Sequence, residues 1–395
     1  MSAPIKTIDK LDLAGKTVLI RVDYNVPLDG EQVADDTRIR LSLDTIRYLK
    51  ENAARVVMMS HLGRPKDAPD PRYSLLPAAA RLAELLDTDV IFAHDTIGDE
   101  VKRLIEEQPE HAIIMLENVR FFPGEKSNDP EFAAALAALG DVYVNDAFGT
   151  MHRSDASIVG VPKLIDQVAV GRLVQAEVEA LGGLLGSPKR PFGAVLGGAK
   201  VSDKIEVIDR LSQKVDHLFI GGAMAYTFLK AQGVNVGASR IEADSLEFAT
   251  KMLAAATARG CRIHLPIDHV VAPTFAEDAP ATVVTQIPDG QMGLDIGPAT
   301  VAAWRDVLKL CKTLFWNGPL GVFEWPSFSQ GTRGIAETFA EADGFTVIGG
   351  GDSAAAAAQF GVQERIDHVS TGGGASLEYL RDGDLVGLEA LRRRR

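Results

Sequence analysis

Short apolar runs rich in β-branched residues alternate along this chain with longer stretches rich in Ala and Leu, and that alternation restricts the fold more than any other feature. In the first half the runs are TVLIRV (17–22), RVVMMS (55–60), DVIFA (89–93), AIIML (112–116) and DVYVN (141–145). In the second half they are FGAVL (192–196), HLFI (217–220), CRIHLP (261–266), KTLFW (312–316) and FTVIGG (345–350). Runs that stay apolar instead of alternating with polar residues belong to parallel strands covered on both faces by helices. Two sets of about five or six such strands predict an α/β protein of two doubly wound parallel-sheet, Rossmann-like domains. A length of 395 residues agrees, because it exceeds what one hydrophobic core supports. The stretch RLVQAEVEALGGLLG (172–186) reads as a hinge helix, and the SPKRPF that follows it reads as a break. The expected domains are therefore 1–170 and 171–379.

Composition removes several classes of function. A net charge of −13 opposes binding to nucleic acid or to an anionic membrane, though a local basic cleft remains open to a small anion. Cys261 and Cys311 are the only cysteines and form no CxxC, so neither a disulfide framework nor a thiolate zinc site is expected. The N-terminus lacks a signal-like apolar core, and no run reaches the length of a membrane span. The expectation is a soluble, cytoplasmic protein. The terminal LRRRR reads as a solvated tail.

Ligands of an open parallel sheet bind beyond the carboxyl ends of its strands, so the residues that follow each run are the informative ones. In the first half these are Asp23 and Asn25, His61 and Arg64, Arg120, then His152 and Arg153, with Arg38 nearby in DDTRIR. So many cations at one sheet edge call for an anion, and guanidinium forks match carboxylate and phosphate oxygens. Asp23 and Asn25 supply acceptors for substrate hydroxyls. In the second half the runs lead into GGAKVSDK (197–204), GGAM (221–224), NGPLGVFE (317–324), GGGDS (349–353) and TGGGAS (371–376). Glycines let a backbone approach a ligand closely, and N–H groups at a following helix start favour phosphate. Lys200 and Lys204 add charge for phosphate oxygens, and Asp352 offers a carboxylate to Mg²⁺. A nucleotide site follows. The Walker A, GxGxxG, HRD, DFG and HExxH patterns are all absent. Gly351-Asp352-Ser353-Ala354-Ala355 approaches the GxSxG of serine hydrolases, but the triple glycine and the aspartate suit phosphate and metal better.

RVDYNVP (21–27), DDTRIR (35–40), SHLGRP (60–65), LENVRFFPGE (116–125), NDAFGTMHR (145–153), GGAKVSDKI (197–205), NGPLGVFE (317–324) and GGGDS (349–353) resemble, in order, the signatures of the phosphoglycerate kinases. The likeness runs the length of the chain. It implies an ATP:3-phosphoglycerate 1-phosphotransferase of glycolysis and gluconeogenesis, using Mg²⁺ with ADP or ATP. The N-terminal domain would bind 3-phosphoglycerate through Asp23, Tyr24, Asn25, Arg38, His61, Leu62, Gly63, Arg64, Arg120 and Arg153. Its C-terminal partner would bind nucleotide through Lys200, Lys204, Gly293, Glu324, Gly350, Gly351, Asp352 and Ser353. Glu324 would take the ribose hydroxyls and Asp352 the metal. The resemblance also implies that 380–395 returns to the first domain, and that the protein works as a monomer. Two departures stand out. Ser154-Asp155 follows the HR pair where the family often has a second His, which bears on substrate affinity or the placement of Arg153. Met151 stands where a small residue is common.

The implied reaction moves a phosphoryl group between 1,3-bisphosphoglycerate and ADP. A carboxylate acceptor is already ionised at neutral pH, so no general base is needed. Alignment and charge neutralisation remain, assigned to Arg38, Lys200, Mg²⁺ and the N–H groups near Gly350 and Gly351, with in-line transfer after domain closure. Another acyl-phosphate kinase, or a nucleotide-binding protein without turnover, are the readings that this one competes with.

Overall fold

The computed structural model describes residues 5–66 and 68–392. Arg393 to Arg395, the end of the expected returning segment, lie outside the described residues.

Seventeen strands occur among the described residues, β1 Thr17–Val22, β2 Leu28–Asp29, β3 Gln32–Val33, β4 Arg55–Met59, β5 Val90–Phe92, β6 Ala112–Met115, β7 Val142–Asp146, β8 Gln167–Val170, β9 Phe192–Leu196, β10 His217–Ile220, β11 Arg262–His264, β12 His269–Ala272, β13 Thr282–Val284, β14 Met292–Ile296, β15 Thr313–Asn317, β16 Phe345–Gly349 and β17 His368–Val369. One six-stranded sheet has the order β5-β6-β4-β1-β7-β8, and a second has β11-β10-β9-β15-β16-β17. Every pairing within both is parallel. Each sheet is built outward in one direction and then in the other, which makes it doubly wound as expected. The reversal falls at β1 in the first sheet, flanked by β4 and β7, and between β9 and β15 in the second. β7, β9 and β15 are buried along their full length, in keeping with apolar runs covered on both faces. Not anticipated were β8, the edge strand β17, the antiparallel pair β2-β3 and an antiparallel sheet ordered β13-β12-β14.

The chain forms two compact units. One contains residues up to Glu179 together with those from Asp384, and the other runs from Ala180 to Gly383. The first core gathers Val18, Ile20, Val22, Ile46, Leu49, Val56, Met58 and Val144 around its sheet. The second is built on Trp304, Trp316, Leu314, Phe339 and Ile348. The division falls inside the helix Arg172–Leu185. The helix Val386–Arg392 belongs to the first unit, where Gly387 donates its N–H to the Met151 carbonyl at 2.9 Å. A side chain at Gly387 would meet Met151 and Ile158 at 3.0 and 2.9 Å, so only glycine permits this approach.

The start of helix Arg172–Leu185 is held by residues far away in sequence. Thr45 Oγ1 accepts from the Arg172 N–H at 2.9 Å, and Asp146 Oδ1 accepts from Leu173 and Val174 at 3.0 and 3.2 Å. These bonds satisfy N–H groups that a helix start leaves without partners. Asp146 closes β7 in full burial, which pushes its carboxyl up from 3.8 to about 7. Between those values the folded chain keeps a proton that the unfolded chain has lost. Stability from this group therefore falls as pH rises through the window, by up to about 1.4 kcal/mol per pH unit. Asp146→Asn keeps an acceptor and should remove that part of the slope; identical pH dependence of urea unfolding in both proteins would reject the assignment.

Candidate active site

In the first unit, the carboxyl ends of four adjacent strands, β6, β4, β1 and β7, carry Arg120, His61, Asp23 and Arg153 in the turns that follow them. Parallel pairing in register forces those turns to one edge of the sheet. Arg38 lies in the first turn of helix Thr37–Asn52, and its Nη1 donates to Asp23 Oδ2 at 2.7 Å. Asn25 Oδ1 accepts from the Gly63 N–H at 2.8 Å, tying the turn after β1 to the turn after β4. Arg120 Nη1 donates to the Gly63 carbonyl at 2.9 Å. Arg64 is exposed on the same turn.

His61 is sealed in the middle of this cluster, 1 % exposed. Its Nδ1 lies 3.2 Å from Nη2 of Arg21, and its Nε2 lies 3.3 Å from Nη1 of Arg153. Burial, reinforced by Arg21, Arg120, Arg153 and Arg38, holds its pKa well below the ordinary value. His61 is thus a neutral hydrogen-bonding ring, a correction to its place among the expected cations.

Tyr24 and Leu62 have core side chains. Tyr24 is fully buried, with its hydroxyl 2.7 Å from Ser42 Oγ, and Leu62 is 3 % exposed. Only their main chains remain for a ligand.

Sequence reasoning missed the charges beneath the pocket. Arg21, inside β1 and fully buried, donates from Nε to Ser157 Oγ at 2.8 Å. Ser157 in turn gives its hydroxyl to Glu125 Oε1 at 2.5 Å and its N–H to Glu125 Oε2 at 2.9 Å. Tyr143 donates to the Ser157 carbonyl at 2.7 Å and accepts from Asn145 Nδ2 at 2.8 Å. Burial raises the Glu125 carboxyl, with Arg21 opposing. The arginine inside the RVDYNVP motif was the visible signal, since a charge within a central strand needs a buried partner.

In the second unit, the turns after β9, β10 and β15 pack directly on one another. Gly198 donates to the Pro319 carbonyl at 2.9 Å, Gly222 to Leu320 at 3.1 Å and Met224 to Gly198 at 3.1 Å. A Cβ on Gly197 would come within 2.1 Å of the Pro319 oxygen, and Gly222 has φ +66°. Several glycines expected to admit a ligand are therefore required by contact between turns. Gly293 is also buried, and a Cβ there would lie 1.9 Å from the Tyr226 hydroxyl.

Lys204 spends its ammonium on the protein, donating to the Gly197 carbonyl at 2.6 Å, to Asn317 Oδ1 at 2.5 Å and to the Asn317 carbonyl at 3.2 Å. Burial draws it down to about 8. In this structure it joins the ends of β9 and β15. Asn317, which also donates to the Gly349 carbonyl at 2.7 Å, escaped sequence reasoning. Ser353 is fully buried, its Oγ accepting from the Gly318 N–H at 2.5 Å. Lys200, Glu324, Gly351 and Asp352 are exposed. Gly350, at φ +93°, sets up helix Gly351–Gln359, whose first N–H groups have no acceptor within the helix.

An anion pocket on one doubly wound unit and an exposed helix start ringed by glycine turns on another suit a small acid and a polyphosphate. Comparison with known proteins agrees. The family described as phosphoglycerate kinase matches residues 8–383. The chain belongs to the phosphoglycerate kinase family. It is 54 % identical to the phosphoglycerate kinase of Anaeromyxobacter sp. (strain K), over 98 % of this chain and 99 % of that one. Identity to a cytosolic phosphoglycerate kinase of Arabidopsis thaliana is 50 %, over 98 % of each chain. Among solved structures, phosphoglycerate kinase from Coxiella burnetii superposes with a TM-score of 0.91 at 38 % identity, covering 98 % of this chain and 99 % of that one. As a phosphoglycerate kinase, this chain is a nucleotide-dependent glycolytic enzyme that transfers a phosphoryl group between 1,3-bisphosphoglycerate and ADP.

Proposed function

We propose that the turns after β1, β4, β6 and β7 hold 3-phosphoglycerate and that the exposed start of helix Gly351–Gln359 holds the nucleotide phosphates. The observation that carries this reading is the convergence of Arg38, Arg120 and Arg153 on one sheet edge around Asp23 and a neutral His61. Arg64, Arg120 and Arg153 hold the distal phosphate, Asp23 and Asn25 accept from the substrate hydroxyl, and Arg38 serves the transferring group. Lys200 and the N–H groups of Gly351 and Asp352 meet the nucleotide phosphates, with Glu324 at the ribose. Lys204 acts one step back, by fixing the turns.

Among the described residues no group of three or more His, Cys, Asp or Glu could hold a metal ion. Mg²⁺ commonly takes one or two carboxylates and completes its shell with substrate phosphates and water. Asp352, exposed beside the phosphate-facing helix start, is the carboxylate for it. When bound, Mg²⁺ offsets charge on the phosphate oxygens. The substrate carboxylate attacks as an anion, so the chain need only align it, neutralise charge and exclude water, with in-line transfer following closure of the two units. Among the described residues no helix is long and apolar enough to cross a membrane. The cytosolic relatives support a cytoplasmic enzyme, and the protein is taken to work as a monomer.

NADH-coupled turnover with ATP and 3-phosphoglycerate, with and without Mg²⁺, tests the whole reading; acetate or aspartate in place of 3-phosphoglycerate should give no turnover. Asp352→Ala should raise KM for the metal nucleotide about 10- to 100-fold and leave 3-phosphoglycerate binding unchanged. Equal losses for both substrates would make Asp352 structural.

A further inference from the structure

The anion pocket contains a carboxylate that transfer does not require. Asp155 is 7 % exposed, and its Oδ2 stands 3.9 Å from Nη2 of Arg120, itself 9 % exposed. That separation is too long for a hydrogen bond. Asp155 Oδ2 and Arg120 Nε are both sealed from solvent, and neither has a hydrogen-bond partner. Buried polar atoms normally find partners, so a facing carboxylate and guanidinium left unjoined need an explanation. The surroundings supply one. Arg153 and Arg21 add positive potential at Arg120, while Asp155 and Glu125 oppose it. Glu125 is occupied by Ser157, which leaves Asp155 as the carboxylate facing Arg120.

We propose that Asp155 is a built-in counter-anion for Arg120, and that it competes with the phosphate of the bound substrate and so sets the affinity of this pocket for phosphate monoesters. The proposal rests on the reading of the pocket given above. Without ligand, the carboxylate offsets a buried guanidinium charge that would otherwise stand uncompensated. With ligand, the same negative charge repels an incoming phosphate, weakening binding and hastening release. Arg120 keeps its bond to the Gly63 carbonyl in either case. Asp155 also has little to do in shaping its own turn, because Ile158 and Val159 donate to its main-chain carbonyl at 3.0 and 2.9 Å. Neutral replacements should therefore fold. The resemblance at this position suggested an effect on substrate affinity or on the placement of Arg153; the geometry directs it to Arg120.

Calorimetric titration of the full-length protein with 3-phosphoglycerate, and separately with inorganic sulfate, decides the matter. Asp155→Asn and Asp155→Ser should each bind both probes about tenfold more tightly than the native chain, whereas Asp155→Glu should stay within about threefold. Ligand-free Asp155→Asn should melt lower and gain more from saturating 3-phosphoglycerate than the native protein does. Unchanged or weaker binding in both neutral variants overturns the proposal and makes Asp155 an orienting residue. Arg153→Ala separates this from failure of the pocket itself: if that variant binds 3-phosphoglycerate as tightly as the native chain, the pocket has been misassigned and the counter-anion falls with it.

Discussion

Replacing Arg38 by Ala should lower kcat about 10³-fold while KM for 3-phosphoglycerate rises by less than about tenfold. Arg38 anchors one guanidinium nitrogen on Asp23 Oδ2 at 2.7 Å, and its side chain is 40 % exposed. The remaining donors are thus pre-aimed and free for charge that develops during transfer. Ground-state affinity rests instead on Arg120 and Arg153, which the substitution leaves in place, so the loss should appear mainly in turnover. Removing the cation also releases the Asp23 carboxylate, adding negative charge where more is about to form. Arg38→Lys should recover only part of the rate, because a single ammonium cannot hold Asp23 and present a fork to the phosphoryl oxygens together. Steady-state kinetics with both substrates varied provides the check, and a near-normal kcat in Arg38→Ala would remove this residue from the transition state.

Arg21→Met should cost the first unit about 3–5 kcal/mol, the usual effect of taking one partner from a buried charge network. Arg21 reaches Ser157, His61 and the Val22 carbonyl from inside β1, and Ser157 passes the connection on to Glu125. Without it, Glu125 is a buried carboxyl with no compensating cation, and its pKa moves further above the ordinary value. The folded variant then holds a proton that the unfolded chain releases, so its deficit should widen as pH rises above the carboxylate range. Arg21→Met combined with Glu125→Gln should recover much of the loss, because the orphaned charge is gone. Hydrogen exchange at the β1 and β7 amides reports on this unit alone. A deficit below about 1 kcal/mol, or no recovery in the double variant, would show that the network carries little energy.

The parallel sheets were legible because continuous apolar runs leave few alternatives, and the same logic pointed to the strand ends where Asp23, His61, Arg120 and Arg153 lie. Gln167–Val170 escaped because a four-residue run at the edge of a sheet carries too little pattern. The sheet of β12, β13 and β14 was hidden by the three-residue β13, two of whose positions are exposed, and by the glycine and aspartate that interrupt the apolar run of β14. Glycine was ambiguous for a physical reason. Gly197 and Gly222 lack a side chain to let neighbouring turns touch, and Gly351 has open space around it; both needs look alike in a sequence. The surroundings of Lys204 and His61 were not legible, because burial decides whether a basic side chain is a free cation, a bonded donor or a neutral ring. Ser157 and Glu125 could not be tied to Arg21 at all, since only the fold brings such distant positions together.

Because the first unit is finished by residues from Asp384 onward, with Val386–Arg392 seated against the Met151 segment, its folding on the ribosome cannot be sequential. The stretch through Glu179 emerges early yet has to wait, without one of its helices, while the whole of the second unit is translated. Chaperone binding to the nascent chain should accordingly persist past the synthesis of Gly383 and end only after Arg392 has cleared the exit tunnel.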